Sequence, residues 1–372
     1  MEPDATAIPF SALRFVTLRL LWDCNLRCIM CDHPHKPRLE MAVETANKTL
    51  DQIPHPVRLA FIGGEPCLWL LRHPGVMRRA IEAGHYVHLT TNGILLPRLT
   101  DFVDAFADRP VSVQFSIDGF GENYERIRPP GRWRNVVTAI RLIHQRRQSS
   151  GNRDARIIVG SLLMRQTLDD LSQLIEFCAN EGVDAVTLTY AVIYDSMVAR
   201  GTIDENDSVF HHQEAVNEAI SRARATAQRC GVALSYPPYL GDTTGVGGRR
   251  WEGKDPANLP PGRFPKPQGL ACTRPWNEIF VNQDGRIVPC CCGTSIGPTV
   301  GHIDDSLETI WRGSRIQEVR GALLSHGFDS ACRCGANMAV GGKSASPEHF
   351  LTRRREEVGS SLLHWTKDSP GT

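Results

Sequence analysis

Cys24, Cys28 and Cys31 stand close together in the run Leu20-Leu21-Trp22-Asp23-Cys24-Asn25-Leu26-Arg27-Cys28-Ile29-Met30-Cys31-Asp32, with CxxxCxxC spacing. Thiolates are good ligands for iron, and three cysteines this close together are too compact for a disulfide framework. A cubane iron–sulfur cluster has four irons and usually four cysteine ligands. Three ligands leave one iron open, which is what a cluster needs to act on a bound molecule rather than only pass electrons. The alternative is a zinc loop. Zinc prefers four ligands in two CxxC-like pairs, and no partner pair lies nearby in the chain.

The rest of the composition sets bounds. The chain has 372 residues, enough for one large and one smaller domain. A formal charge of +1 gives no field that favours nucleic acid or an acidic membrane surface. No apolar run is long enough to span a bilayer, and Met1-Glu2-Pro3-Asp4 lacks the pattern of a signal peptide. Twelve cysteines without an export signal point to metal or redox use in a reducing compartment, the cytoplasm by default.

The elements that must position the cysteines read as an alternation. Strands are predicted at Phe15 to Trp22, Val57 to Ile62, His85 to Thr91, Val111 to Ile117, Ala155 to Met164 and Asp184 to Tyr190. Helices are predicted at Glu40 to Gln52, Pro74 to Ala83, Arg134 to Arg147, Leu168 to Glu181 and Asp207 to Cys230. Such alternation makes a parallel α/β sheet with right-handed crossovers, and parallel barrels keep their chemistry at the C-terminal ends of the strands. The cysteine loop leaves strand one there. Gly63-Gly64-Glu65-Pro66 ends strand two, Thr91-Asn92-Gly93 strand three, and Ser116-Ile117-Asp118-Gly119 strand four. Paired glycines let the backbone approach a ligand closely, and a hydroxyl with a carboxylate suits a polyol. Each segment also reads as a turn, Asn92-Gly93 above all.

CNLRCIMC followed by GGEP on the next strand resembles the signature of the radical S-adenosylmethionine (SAM) enzymes, over about Phe15 to Tyr236. The resemblance implies a partial (β/α)6 TIM-like barrel with an open side. It implies a [4Fe–4S] cluster on Cys24, Cys28 and Cys31 whose free iron is chelated by SAM, and reductive cleavage of SAM to methionine and a 5′-deoxyadenosyl radical. Met30 would lie against the adenine. Gly63, Gly64, Glu65 and Pro66 would take the SAM ammonium group. Ser116 and Asp118 would reach its carboxylate and ribose, and Asn92 would bond SAM or substrate. Arg128 matches an arginine found after strand four in many relatives; its plainer reading is an ion pair with a surface carboxylate. The adenine motif of strand five is poorly matched at Ile157 to Leu163. His33 and His35 could touch substrate or be solvated loop residues. Cys67, Cys178 and Cys230 read as packing thiols.

Beyond residue 236 the chain changes character. Residues 237–271 are rich in proline and glycine and read as a linker. Residues 272–342 hold a predicted hairpin, Glu278 to Asn282 and Arg286 to Cys290 about Gln283-Asp284-Gly285, and a helix from Leu307 to Leu324. Residues 343–372 are a charged tail. With Cys272, Cys290, Cys332 and Cys334 this β-hairpin-plus-helix unit resembles the SPASM/twitch modules of radical SAM enzymes, which hold auxiliary [4Fe–4S] clusters. No cysteine follows Cys334, so one auxiliary cluster is expected; Cys291 or Cys292 could replace a ligand because the last pair is CxC. Four cysteines in two halves would also satisfy zinc.

The expected activity is hydrogen abstraction from a C–H bond, leading to oxidation, dehydrogenation or, with Cys291 or Cys292 as hydrogen donor, epimerisation. Strand one begins near Phe15 and leaves no room for a leader-binding domain. A small polar substrate of sugar, aminocyclitol or nucleoside type is therefore favoured over a ribosomal peptide. A flavodoxin or ferredoxin would supply electrons. The contrasting class is an iron–sulfur electron carrier or a metal-stapled scaffold without catalysis.

Overall fold

The computed structural model of the chain describes residues 8–191, 193, 195–237, 239–240, 250–252, 274–289 and 299–326. Among these residues the centre is a sheet of eleven strands: β1 Phe15–Arg19, β2 Arg58–Ile62, β3 Tyr86–Thr91, β4 Val111–Ser116, β5 Arg156–Leu163, β6 Ala185–Tyr190, β7 Ala233–Tyr236, β8 Arg250–Glu252, β9 Glu278–Val281, β10 Arg286–Val288 and β11 Gly301–His302. Strands β1 to β7 pair in sequence order and all run parallel. Each neighbour is therefore reached by a crossover, and the connecting helices pack on the sheet. This is the partial barrel expected.

The seventh parallel strand, Ala233–Tyr236, was not expected. It is four residues long and starts just after Gly231, which ends the helix Gln213–Cys230 in a left-handed conformation. Ala-Leu-Ser-Tyr is too short a run for its alternation to register. The hairpin of β9 and β10 was expected as part of a separate unit. The hairpin forms, and β9 also pairs parallel with β1, from Phe15 with Glu278 to Leu18 with Val281, so one sheet runs through both regions.

Alternation along the strands divides the residues. Val16, Leu18, Leu59, Phe61, Val87, Leu89, Val113 and Phe115 join helix residues such as Ala46, Met77, Phe102 and Ile140 in the main core. The intervening positions are mostly polar, Ala60 of β2 apart, and several bond one another across the opposite face. Arg58 Nη2 lies 3.1 Å and Ser112 Oγ 2.7 Å from His88 Nδ1, and Thr17 donates to Glu278 at 3.2 Å.

The expected helix from Leu307 to Leu324 is two, Leu307–Arg312 and Ser314–His326, parted by Gly313 in an extended conformation. Fully buried Arg320 ties the second to its surroundings: Nε donates to the Pro275 carbonyl at 2.9 Å and Nη1 to that of Trp311 at 3.1 Å. The short helices Pro66–Arg72, Thr100–Ala105 and Glu122–Ile127 went unread, because six or seven residues span less than two full turns of periodicity. Among the described residues no helix is long and apolar enough to cross a membrane.

Candidate active site at the strand ends

The cysteine loop leaves β1 and is held on two sides. Trp22 N donates to Leu39 O at 3.0 Å and Met41 N to Leu20 O at 2.7 Å. Arg27 N and Ile29 N donate to the carbonyls of Pro129 and Ile127, in the segment after β4. Cys28 is buried, and Cys24 and Cys31 are half-buried. Each sulfur has a donor at hand. Leu26 N lies 3.4 Å and Asn92 Nδ2 3.8 Å from Cys24 Sγ; Arg128 Nη1 lies 3.6 Å from Cys28 Sγ; the His33 amide serves Cys31. Burial pushes the thiols of Cys24 and Cys28 up to about 12 and raises that of Cys31. Thiolates in such a place need a bound cation to form, while N–H donors aimed at sulfur are arranged for thiolates rather than for thiols. The loop therefore fits a metal cluster. Among the described residues no three His, Cys, Asp or Glu side chains gather around a point that one metal ion could fill. A cubane requires no such gathering, since each thiolate takes a different iron.

The other strand ends converge on this loop. Gly63 and Gly64 lie against its first residues: Gly64 N donates to Leu21 O and Glu65 N to Asp23 O, both at 2.8 Å. A Cβ at Gly64 would overlap the carbonyl oxygens of Trp22 and Asp23, and Gly63 has a positive φ of 151°. The two glycines allow β2 to dock on the cysteine loop. Pro66 begins the helix Pro66–Arg72, and Glu65 caps it, accepting from Cys67 N at 3.0 Å. The Glu65 carboxylate also accepts from Thr91 Oγ1 at 2.7 Å and Asn92 N at 2.8 Å. It is fully buried, and desolvation raises its pKa above the usual carboxylate value despite these donors. Three of its acceptor positions are thus used within the fold. Asn92 in turn donates to Asn25 Oδ1 at 2.7 Å.

Asp118 and Arg128 form a buried ion pair. Asp118 also accepts from Leu162 N at 2.6 Å. The plainer reading of Arg128, a surface ion pair, is therefore corrected: its partner is fully buried, and its other terminal guanidinium nitrogen reaches Cys28 Sγ. Arg128 Nε is buried with no partner. Ser116 ends β4, half-buried.

Met30 is buried among Leu26, Cys28, Ile127, Met164, Ala191, Ile193, Met197 and Ile203. Four of these belong to the segment after β6, which sequence reasoning missed. Arg200 pairs there with Asp32 at 2.7 Å, and Thr202 donates to Ile29 O at 2.9 Å. The segment holds only the five-residue helix Asp195–Ala199, too short for its periodicity to register, and its apolar residues alone could have signalled the contact. His33 is no open loop residue. It packs against Trp22 at 4.8 Å, and burial with nearby Arg19 and Lys36 pushes its pKa down to about 3. His35 is exposed. Cys67 and Cys178 are buried and Cys230 is half-buried. Cys272, Cys290, Cys291, Cys292, Cys332 and Cys334 lie outside the described residues.

Comparison with known proteins agrees with this geometry. Residues 23–178 match the radical SAM superfamily, and residues 272–335 match SPASM, an iron–sulfur cluster-binding domain. Pre-heme d1 synthase of Dinoroseobacter shibae is 27% identical over 247 residues, which are 61% of this chain and 55% of that protein. The match therefore spans about half the length of that curated relative. Streptococcus suis SuiB bound to precursor peptide SuiA has a TM-score of 0.62 at 14% identity, covering 93% of this chain and 76% of that one. Native anSMEcpe with bound AdoMet and Cp18Cys peptide has a TM-score of 0.56 at 16% identity, covering 82% and 81%. At such identities these likenesses establish the fold. The two domains bring a [4Fe–4S] cluster that binds SAM, SAM itself and an auxiliary iron–sulfur cluster. This chain thus carries a radical SAM domain over residues 23–178, where the thiol loop and the glycine-docked strand end lie, and a SPASM domain over residues 272–335.

Proposed function

We propose that this chain takes a hydrogen atom from a C–H bond of a peptide substrate seated in the open barrel. The observation that supports this most is the meeting of Cys24, Cys28 and Cys31 with the ends of β2, β3 and β4. When bound, the reduced cluster and SAM supply a primary alkyl radical strong enough for an unactivated C–H bond. Cys24, Cys28 and Cys31 hold the cluster. With SAM bound, the Gly63 and Gly64 backbone and the Ser116 hydroxyl would hold its amino acid moiety, Asp118 would orient Arg128 beside it, and Met30 would lie against its adenine. The apolar residues around Met30 exclude water. Cys272, Cys290, Cys332 and Cys334 hold the auxiliary cluster, with Cys291 and Cys292 beside it.

The peptide class draws on SuiB and anSMEcpe, both of which have been solved with peptides. A small polar substrate is the second reading, favoured by the polar face of Thr17, Thr90, Ser112 and Gln114 within the sheet. Oxidation, cross-linking and epimerisation all begin with the same abstraction. A flavodoxin or ferredoxin in a reducing cytoplasm would provide the electron. The test is anaerobic: the protein with SAM and dithionite should release 5′-deoxyadenosine, and Cys28→Ala should release none. Normal output from Cys28→Ala, or none from the parent protein carrying its clusters, rejects the reading.

A further inference from the structure

Beyond holding SAM, two side chains of the site are aimed at the cluster's own ligands. Asn92 Nδ2 stands 3.8 Å from Cys24 Sγ, and Arg128 Nη1 stands 3.6 Å from Cys28 Sγ. Neither is free to wander. Asn92 is buried; its backbone N–H is held by Glu65 Oε2 at 2.8 Å, and its Oδ1 accepts from Ile94 N at 3.0 Å. Arg128 is buried against Asp118, which Leu162 N holds from the far side. The carboxylates of the second-strand and fourth-strand motifs thus serve first as anchors for two donors.

We propose that Asn92 and Arg128 are hydrogen-bond donors to the thiolates of Cys24 and Cys28 and set the reduction potential of the SAM-binding cluster. Reduction adds one electron from the flavodoxin, ferredoxin or dithionite donor and loads negative charge onto the cluster sulfurs. In a buried site that charge is disfavoured, and the potential falls. A cation and an amide N–H directed at those sulfurs stabilise the reduced state and raise the potential again. Glu65 and Asp118 act through them as positioning residues.

This inference rests on the assignment of Cys24, Cys28 and Cys31 to the cluster, and the experiment separates the two. Redox titrations followed by electron paramagnetic resonance are run without SAM, on the full chain with both clusters loaded. Leaving SAM out removes any effect on its binding. Arg128→Lys and Asn92→Ala should each make the SAM-binding cluster harder to reduce. For Arg128→Lys the reduced-to-oxidised ratio at a fixed potential should fall about tenfold, equivalent to about 59 mV for one electron. In the parent protein labelled with 15N-arginine or 15N-asparagine, electron–nuclear double resonance of the reduced cluster should show a nitrogen coupling. Unchanged potentials in loaded variants overturn the inference while leaving the cluster assignment standing. If the variants do not load, absence of both couplings in the parent overturns it. In a separate spectrum of the parent with SAM added, absence of any change in a cluster signal instead refutes the cluster assignment itself.

Discussion

At the scale of single residues, the site is built by close approach. Gly64 has no room for a Cβ because the carbonyl oxygens of Trp22 and Asp23 occupy that space. These are backbone atoms of the cysteine loop, so the loop itself would have to move. Gly64→Ala should cost about 1–3 kcal/mol in urea unfolding and lower the iron retained by the SAM-binding cluster. Gly75 is the control. A Cβ there meets nothing within 4 Å, so Gly75→Ala should leave both measurements unharmed. The glycine pair was legible in the sequence as a place of close approach. What it approaches was not, because Trp22 and Asp23 are neighbours only once β1 and β2 lie in register.

At the scale of elements, the strands carry a polar face that the sequence showed only as scattered hydrophilic residues. His88 of β3 sits between Arg58 of β2 and Ser112 of β4, with Thr90 Oγ1 3.3 Å from its Nε2. Burial, and then the charge of Arg58, hold its pKa well below the ordinary value of 6.5. A group depressed on folding contributes stability that is present above its unfolded pKa and lost as pH falls toward the folded one. The unfolded chain takes up a proton below about pH 6.5 that the native state refuses. This histidine should therefore steepen the loss of stability below pH 6.5 by about 1.4 kcal/mol per pH unit. Chemical denaturation between pH 5 and 7.5 should show a shallower dependence in His88→Gln than in the parent protein. Equal slopes would mean that His88 is protonated within the fold.

At the scale of the whole molecule, the radical-generating region and the cluster module share one sheet through β1 and β9. The shared edge carries a buried polar junction in which Glu278 accepts from Thr17 and pairs with Arg274. Lys48 and Asp304 add an ion pair at 2.7 Å on the outer side. The hairpin of β9 and β10 is thus joined to the barrel by backbone pairing. Two cubane clusters require about eight irons per chain. Cys272→Ala should remove about half of that iron and leave SAM cleavage by the first cluster, with 5′-deoxyadenosine still formed. Iron content unchanged from the parent would show that Cys272 is not a ligand of the auxiliary cluster.

The sequence by itself determined the chemistry and the order of the elements. Cysteine spacing dictates which atoms can reach a metal, and alternating apolar runs dictate a parallel sheet; both are local properties of the chain. Only the tertiary structure decided how the site's residues divide their work. The buried carboxylates of Glu65 and Asp118, read in the sequence as SAM-facing, also bond Asn92 and Arg128, whose side chains reach Cys24 and Cys28. Those partners come from different strand ends and meet only because neighbouring strands lie in parallel register. The segment after β6 that covers Met30, and the joining of β9 to β1, follow the same logic. Contacts between residues far apart in the chain are set by packing and register, which no single stretch of sequence encodes.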